Sequence, residues 1–191
     1  MELSMRNNIL RLSMATVLTA GAGTAMAQNL DVNFTANVLE TTCQMKLVGG
    51  TGSDTSQTLT IGNNNLHIED IKNKSSNAQA AFQIKMVECP QSLTQLKTTL
   101  TGDVSGYNAS LIKNGLSGSG ASGQSGVGIA REEDASETLI KPGEDGNLTW
   151  TAAERSAGEL KLVAAIRETT TSPGITAGNF SAKATFNFEY Q

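Results

Sequence analysis

The sequence predicts an all-β protein, an antiparallel sandwich of short strands. Apolar residues alternate with polar ones at a period of two in residues 80–86 and 160–166, a pattern that is typical of half-buried strands. No stretch of ten or more residues carries the apolar stripe of a helix. Gly, Asn, Ser and Pro punctuate the apolar segments, as they do in proteins built from many short strands.

Shorter segments follow the same pattern and are predicted as further strands. They are residues 58–61, 66–71, 96–101, 127–130, 138–141 and 148–151. Residues 115–126 contain five Gly and four Ser, a composition that cannot build a packed face. We therefore expect this segment to be a mobile surface loop within the domain.

The first residues predict a secretory signal peptide. Arg6 and Arg11 precede an uncharged run at 12–30, and the Ala-Met-Ala at 25–27 has the small-residue pattern that signal peptidase recognises. Ser, Thr and Gly interrupt the run, which makes it a poor membrane span. We expect cleavage after residue 27, so that residues 1–27 are a signal peptide and the rest of the chain is exported.

Export determines how the two cysteines are interpreted. Cys43 and Cys89 are 46 positions apart, and an even count in an oxidising compartment predicts that they form a disulfide. Neither cysteine has a second cysteine or a histidine at metal-binding spacing. We expect no metal site and no cofactor.

The charge balance bears on the class of partner. The chain has 14 Lys and Arg against 18 Asp and Glu, which gives a net charge of −4. A nucleic-acid-binding protein usually carries a basic surface. We therefore expect no nucleic-acid partner.

The strictest alternation lies near the two ends of the chain. One set of alternating apolar residues is Leu30, Val32, Phe34, Ala36 and Val38. The other set is Phe180, Ala182, Ala184, Phe186, Phe188 and Tyr190. As a strand, residues 30–38 would extend for roughly 30 Å, and each buried Leu, Val or Phe contributes about 1.5–3 kcal/mol. The first set therefore favours binding in a groove of another subunit.

With these features the chain resembles the pilins of the bacterial chaperone–usher pathway, and its layout is most similar to the minor, tip-adaptor subunits of type 1 fimbriae. The resemblance covers the whole exported chain. It rests on the alternating segment that ends at Cys43, on FQIKMVEC followed by Pro90, on GVGI at 126–129, and on the ending ITAGNFSAKATFNFEYQ with Gly178 and the penultimate Tyr190.

The resemblance implies an incomplete immunoglobulin-like sandwich that lacks its last strand and is completed by a donor strand from a partner. Residues 28–39 would be the donor-strand extension and residues 40–191 the pilin domain. The donor side chains would be Leu30, Val32, Phe34, Ala36 and Val38. The strand that borders the acceptor groove and pairs with the chaperone would comprise Gly178, Phe180, Ala182, Ala184, Phe186, Phe188, Tyr190 and Gln191, with the Gln191 carboxylate on basic chaperone residues.

The implied partners are a periplasmic chaperone, an outer-membrane usher and other fimbrial subunits, and the implied route leads through the periplasm to a fimbrium on the cell surface.

The segment before Cys43, residues 28–42, is shorter than in the major shaft subunits of this family. This favours a minor or adaptor subunit that contributes to adhesion, with a major shaft pilin as the alternative.

Two other functions fit the sequence poorly. An enzyme would need a catalytic constellation, but His67 is the only histidine and is predicted to lie in a strand, and the Arg-Glu-Glu-Asp run at 131–134 is typical of a solvated loop. A carbohydrate-binding adhesin would need aromatic platforms, and we expect Trp150 to pack in the core.

Overall fold

A computed structural model describes residues 43–90, 92–134, 138–144 and 148–191. All of them lie in the unit that spans Leu39–Gln191. The strands, in chain order, are β1 (Gln44–Val48), β2 (Thr51–Ser53), β3 (Ser56–Thr58), β4 (Gln79–Val87), β5 (Leu96–Gly102), β6 (Ile112–Lys113), β7 (Ser125–Arg131), β8 (Leu148–Thr149), β9 (Glu159–Glu168) and β10 (Ala184–Tyr190). Two short helices accompany them, α1 (Ile68–Lys72) and α2 (Ala152–Ala157).

The strands form two main antiparallel sheets and one hairpin. The larger sheet has the order β1-β4-β9-β7-β6, the smaller one has the order β10-β5-β8, and β2 pairs with β3. Side chains from both sheets form one core around Ile84, Leu100 and Leu160. Trp150 belongs to that core and is 1% exposed, so the prediction that it packs between the sheets is confirmed.

A disulfide joins Cys43 to Cys89, as the sequence predicts. Cys43 immediately precedes β1, Cys89 follows β4, and these two strands are neighbours in the larger sheet, with Gln44 opposite Val87. The covalent bond therefore fastens the edge strand β1 to the interior of the sheet.

Residues 66–71 were expected to form a strand, and this prediction is wrong, because residues 68–72 form the helix α1. The carboxylate of Asp70 accepts the backbone N–H of His67 at 3.1 Å and so caps the helix start. His67 consequently lies at a helix N-terminus and not in a strand. Ile71 packs with Ile166 and Ile175, and Ile68, three residues earlier, packs against the same cluster. Residues three apart lie on the same face of a helix.

Other strand predictions differ from the structure at their ends. Residues 59–61 and 138–141 are not in strands, and residues 150–151 lead into α2, with Thr151 as its N-cap. The expected mobile loop is also too long by two residues, since Ser125 and Gly126 belong to β7.

The larger sheet is covered on both faces along part of β9. The sequence predicts a half-buried strand there, but every residue from Leu162 to Arg167 is buried. The side chains of Leu111 and Leu139 cover this part of the sheet. They come so close to Gly128 that a Cβ there would lie 3.0 Å from a methyl carbon of Leu111 and 2.8 Å from the methyl carbons of Leu139. Gly128 pairs with Ala165 of β9. Glycine in β7 therefore permits a second layer to approach the sheet.

No helix among the described residues is long and apolar enough to cross a membrane.

Candidate functional site

The last strand, β10, lies at the edge of the smaller sheet. Among the described strands its neighbour is β5 alone. Its side chains alternate as predicted, with Ala184, Phe186, Phe188 and Tyr190 half-buried and the residues between them exposed. An unpaired edge above a half-buried apolar face is a surface on which another strand can add.

The hydrogen bonds at the end of β10 identify which backbone groups face that open edge. Gln191 and Gln95 exchange both of their backbone hydrogen bonds, at 2.9 and 2.8 Å. In an antiparallel ladder such hydrogen-bonded pairs alternate with non-hydrogen-bonded ones. The odd-numbered residues of β10 therefore bond to β5, and the even-numbered ones direct their N–H and C=O groups away from it.

The opposite side of β5 agrees with this alternation. The carbonyls of Leu96 and Leu100 accept the N–H groups of Trp150 and Gly143, at 2.9 and 2.8 Å, on the side away from β10. Leu96 stands opposite Tyr190 and Leu100 stands opposite Phe186. Tyr190 and Phe186 are thus in non-hydrogen-bonded pairs, and their backbone groups point to the free edge.

The same alternation continues in the segment before β10. Phe180 and Ala182 are half-buried, whereas Ser181 and Lys183 are exposed. The N–H and C=O of Asn179 and of Ser181 bond to residues 114–122. Phe180 and Ala182 therefore present their N–H and C=O groups on the same side as Ala184 and Phe186. Among the described residues no strand pairs with this edge, which extends from Phe180 to Tyr190.

A groove with a volume of about 1050 Å³ runs beside this edge. Its wall on the β10 side includes Gly178, Phe180, Ala182, Ala184 and Phe186. Its apolar floor comes from the larger sheet and includes Phe82, Val127, Ile129, Ala164 and Ile166. Its far wall includes Leu47, Leu59, Ile61, Leu66 and Ile68. His67 and Glu69 are the titratable residues among those that line it, so the groove suits an uncharged apolar ridge.

Three of the predicted site residues lie beyond one end of the groove. Phe188, Tyr190 and Gln191 are absent from the described lining. The hydroxyl of Tyr190 donates to the carbonyl of Cys43 at 3.2 Å, and a main-chain oxygen of Gln191 accepts the N–H and hydroxyl of Thr94 at 2.8 and 2.9 Å. Burial raises the pKa of Tyr190 above its usual range. The described lining thus ends at Phe186, and these contacts anchor the end of β10 beyond it.

Gly178 has a conformational and a steric reason to be glycine. Its φ is +151°, and a Cβ there would lie 2.4 Å from the carbonyl carbon of Ala121 and 2.5 Å from the nitrogen of Ser122. Backbone atoms cannot move aside as side chains can. Gly178 therefore lets the groove wall approach the Gly/Ser-rich loop.

The five predicted donor residues, Leu30, Val32, Phe34, Ala36 and Val38, lie outside the described residues. The sequence patterns also missed the far wall, because α1 was predicted as a strand and Leu59 and Ile61 lie outside regular structure. The half-buried Asn114, which bonds to both Asn179 and Ser181, carries no recognisable signal in a single sequence.

The alternative sites do not come together as catalytic or sugar-binding centres. Glu132, Glu133 and Asp134 form an exposed 3₁₀ turn, while Arg131 pairs with Glu154 at 3.0 Å. Trp150 is buried and donates its indole N–H to the Thr98 hydroxyl at 2.9 Å. It cannot serve as a platform for a sugar.

These features define a class of protein: an all-β sandwich with a sheet edge that no described strand covers and, beside it, a groove with an apolar floor. Residues 32–191 match the family of fimbrial proteins. The chain is 33% identical over 169 residues to an uncharacterised fimbrial-like protein, YadM, of Escherichia coli strain K12, a match that covers 86% of this chain and 88% of that protein. The protein described here belongs to the fimbrial protein family.

A solved structure extends the comparison to the fold. The P pilus rod subunit PapA is similar with a TM-score of 0.55 and 15% identity over 84% of this chain and 99% of that one. This likeness confirms the all-β, immunoglobulin-like fold. Membership of the family makes the chain a structural fimbrial subunit and not an enzyme, a component of a surface fimbrium that associates with other pilus subunits.

Proposed function

We propose that this subunit enters its fimbria by donor-strand exchange, a form of strand addition to an open sheet edge. The observation that carries the proposal is the edge from Phe180 to Tyr190, which no described strand covers and which borders an apolar groove as far as Phe186. An incoming strand would bond to the backbone of the even-numbered residues and would insert every second side chain between the two sheets. The same strand would complete the sandwich.

The donor in this proposal is the segment at residues 30–38. Its apolar residues, Leu30, Val32, Phe34, Ala36 and Val38, recur at the period of two that a strand in the groove requires. Its one charged residue, Asp31, falls on the polar face. Residues 28–39 would then be an extension that one subunit lends to the next.

A subunit with an open edge needs a cover before assembly, since such edges aggregate. We infer that a periplasmic chaperone supplies the cover, that an outer-membrane usher receives the complex, and that residues 1–27 direct the chain to this route. In the described structure one oxygen of the Gln191 carboxylate accepts hydrogen bonds from Thr94 and Gln95. Basic chaperone residues that take the Gln191 carboxylate would compete with these hydrogen bonds.

Within the fibre we propose a minor or adaptor position that contributes to bacterial adhesion, and the short segment before Cys43 supports it. A major shaft pilin is the alternative. A carbohydrate-binding adhesin is less favoured, because Trp150 is buried in the core.

The donor assignment is tested by exchanging side chains on one face of the segment only. Serine at all five donor positions should leave chaperone binding intact and abolish the subunit–subunit complexes that resist dissociation in sodium dodecyl sulfate. Serine at the four polar positions is the matched control and should assemble normally. The control positions are Asp31, Asn33, Thr35 and Asn37. Normal complexes from the first variant would refute donor-strand exchange through this segment.

A further inference from the structure

Asn114 lies where the groove wall meets the Gly/Ser-rich loop. Its side-chain amide donates to the carbonyls of Asn179 and Ser122, at 2.8 and 3.0 Å. Its carbonyl oxygen accepts the N–H groups of Ser181 and Leu116, at 3.0 and 3.1 Å. A primary amide offers two donor hydrogens and two acceptor lone pairs. All four are used, and two of the four bonds hold the wall.

The wall before β10 is held in position by these contacts together with main-chain hydrogen bonds to the Gly/Ser-rich loop. Residues 179–183 belong to no strand of the described sheets. Asn179 also donates its N–H to Gly120 at 2.8 Å and accepts the N–H of Ser122 at 2.9 Å, and the carbonyl of Ser181 also accepts the N–H of Gly115 at 2.7 Å. For the N–H of Ser181, the described partner is Asn114 alone.

The direction of these bonds determines what the groove presents. In an extended chain, the N–H and C=O groups of successive residues point to opposite sides. Because Asn179 and Ser181 are held on the loop side, Phe180 and Ala182 direct their backbone groups to the groove. A rotation of the wall would remove these two residues from the edge and leave only the part that begins at Ala184.

We infer that Asn114 is a positioning residue for strand binding: it holds the wall so that the backbone of Phe180 and Ala182 extends the acceptor edge beyond β10. This role rests on the proposed function of the groove, and it assigns to one polar side chain outside the groove a share of the affinity for the incoming strand.

The test measures binding of a fluorescein-labelled peptide with the sequence of residues 30–38 to the full exported chain by fluorescence anisotropy. Asn114→Ala should weaken binding at least tenfold. Asn108→Ala is the matched control, because Asn108 also accepts the N–H two residues on, from Ser110 at 3.0 Å, without a bond to the wall. It should bind within twofold of the wild type. Residues 30–38 of the protein itself can compete with the peptide for the groove, but they are the same in the wild type and in both variants.

The outcomes separate the two proposals. If the wild type does not bind the peptide, the groove does not accept residues 30–38 of a second copy, and the role of Asn114 in binding that strand is refuted, whereas strand exchange with a different subunit is tested by the serine variants above. If the wild type binds and Asn114→Ala binds equally well, only the role of Asn114 is refuted.

Amide hydrogen exchange distinguishes positioning from a general loss of stability. Asn114→Ala should speed exchange at Ser181 at least tenfold and leave the core strand β9 unchanged, whereas a merely structural role would speed exchange in both. Asn114→Asp keeps the acceptor for Ser181 but loses both donors, and it serves if the alanine variant does not fold. Asn114→Asp should keep the Ser181 N–H protected from hydrogen exchange and still weaken peptide binding. Unchanged peptide binding would overturn the inference.

Discussion

The hydroxyl of Tyr190 donates a hydrogen bond to the carbonyl of Cys43 at 3.2 Å, across the gap between the last strand and the first. Tyr190 ends β10 of the smaller sheet, and Cys43 precedes β1 of the larger one. Cys43 is also fastened to Cys89. One side chain thus connects the edge of one sheet to the disulfide-anchored edge of the other.

Tyr190→Phe should destabilise the fold at neutral pH and have less effect at alkaline pH. Loss of the hydrogen bond costs about 0.5–1.5 kcal/mol. Burial raises the pKa of Tyr190 in the folded state above its ordinary value, so this stabilisation is fully present below about pH 10 and is lost as the pH rises through the raised pKa. Urea unfolding at pH 7 and at about pH 11 measures both effects.

Tyr107→Phe is the control for this experiment, because Tyr107 is 66% exposed. It should change the free energy of unfolding little at either pH. If Tyr190→Phe lowered the free energy of unfolding more at alkaline pH than at neutral pH, the assigned burial and hydrogen bond of Tyr190 would be contradicted.

A second prediction concerns the groove face of β10. Phe186→Asp with Phe188→Asp should abolish recovery of a chaperone complex from the periplasm, since Phe186 lines the groove and packs on Phe82 with ring centroids 5.9 Å apart. Both positions are half-buried, and an incoming chaperone strand would bury the two carboxylates, at a cost of several kcal/mol. The measurement is co-purification with a tagged chaperone.

The matched control places the same two charges on the exposed face of the same strand. Thr185 and Asn187 are exposed, so Thr185→Asp with Asn187→Asp should still co-purify. Equal recovery of both double variants would refute the assignment of the groove face.

The residues of β10 could be predicted from the sequence, because a strand with one buried face has apolar residues at every second position. The far wall could not be predicted. Leu66, Ile68 and Ile71 fit a short strand and a short helix equally well, and the cap that decides between them, from Asp70 to His67, depends on backbone geometry. The contact between the glycine-rich loop and the groove wall could not be predicted either. The loop holds the wall through main-chain groups and Asn114, and such contacts leave no apolar pattern in the sequence.

Gly178→Ala tests how closely that loop approaches the wall. The Cβ would lie within 2.7 Å of three backbone atoms of Ala121 and Ser122, and the φ of +151° disfavours a side chain. We expect a loss of about 1–3 kcal/mol in the free energy of unfolding, measured with urea. Gly106→Ala is the control, because a Cβ at Gly106 meets nothing within 4 Å. Equal stabilities of the two variants would show that the loop does not contact the wall this closely.

The hydrogen bond between Trp150 and Thr98 makes a prediction about the core. Both residues are buried, and the indole N–H donates to the Thr98 hydroxyl at 2.9 Å. Thr98→Val keeps the shape of the side chain but leaves the indole N–H without an acceptor, so it should cost about 1–3 kcal/mol. Thr98→Ser keeps the hydroxyl and loses one methyl group, worth about 0.8 kcal/mol.

A double-mutant cycle separates the hydrogen bond from packing. In a Trp150→Phe background the donor is gone, so Thr98→Val should cost much less than it does in the wild type, and the difference is the coupling between the two side chains. Urea unfolding of the four proteins measures it. If Thr98→Val cost the same in both backgrounds, the bond would contribute nothing and Trp150 would stabilise the sandwich through packing alone.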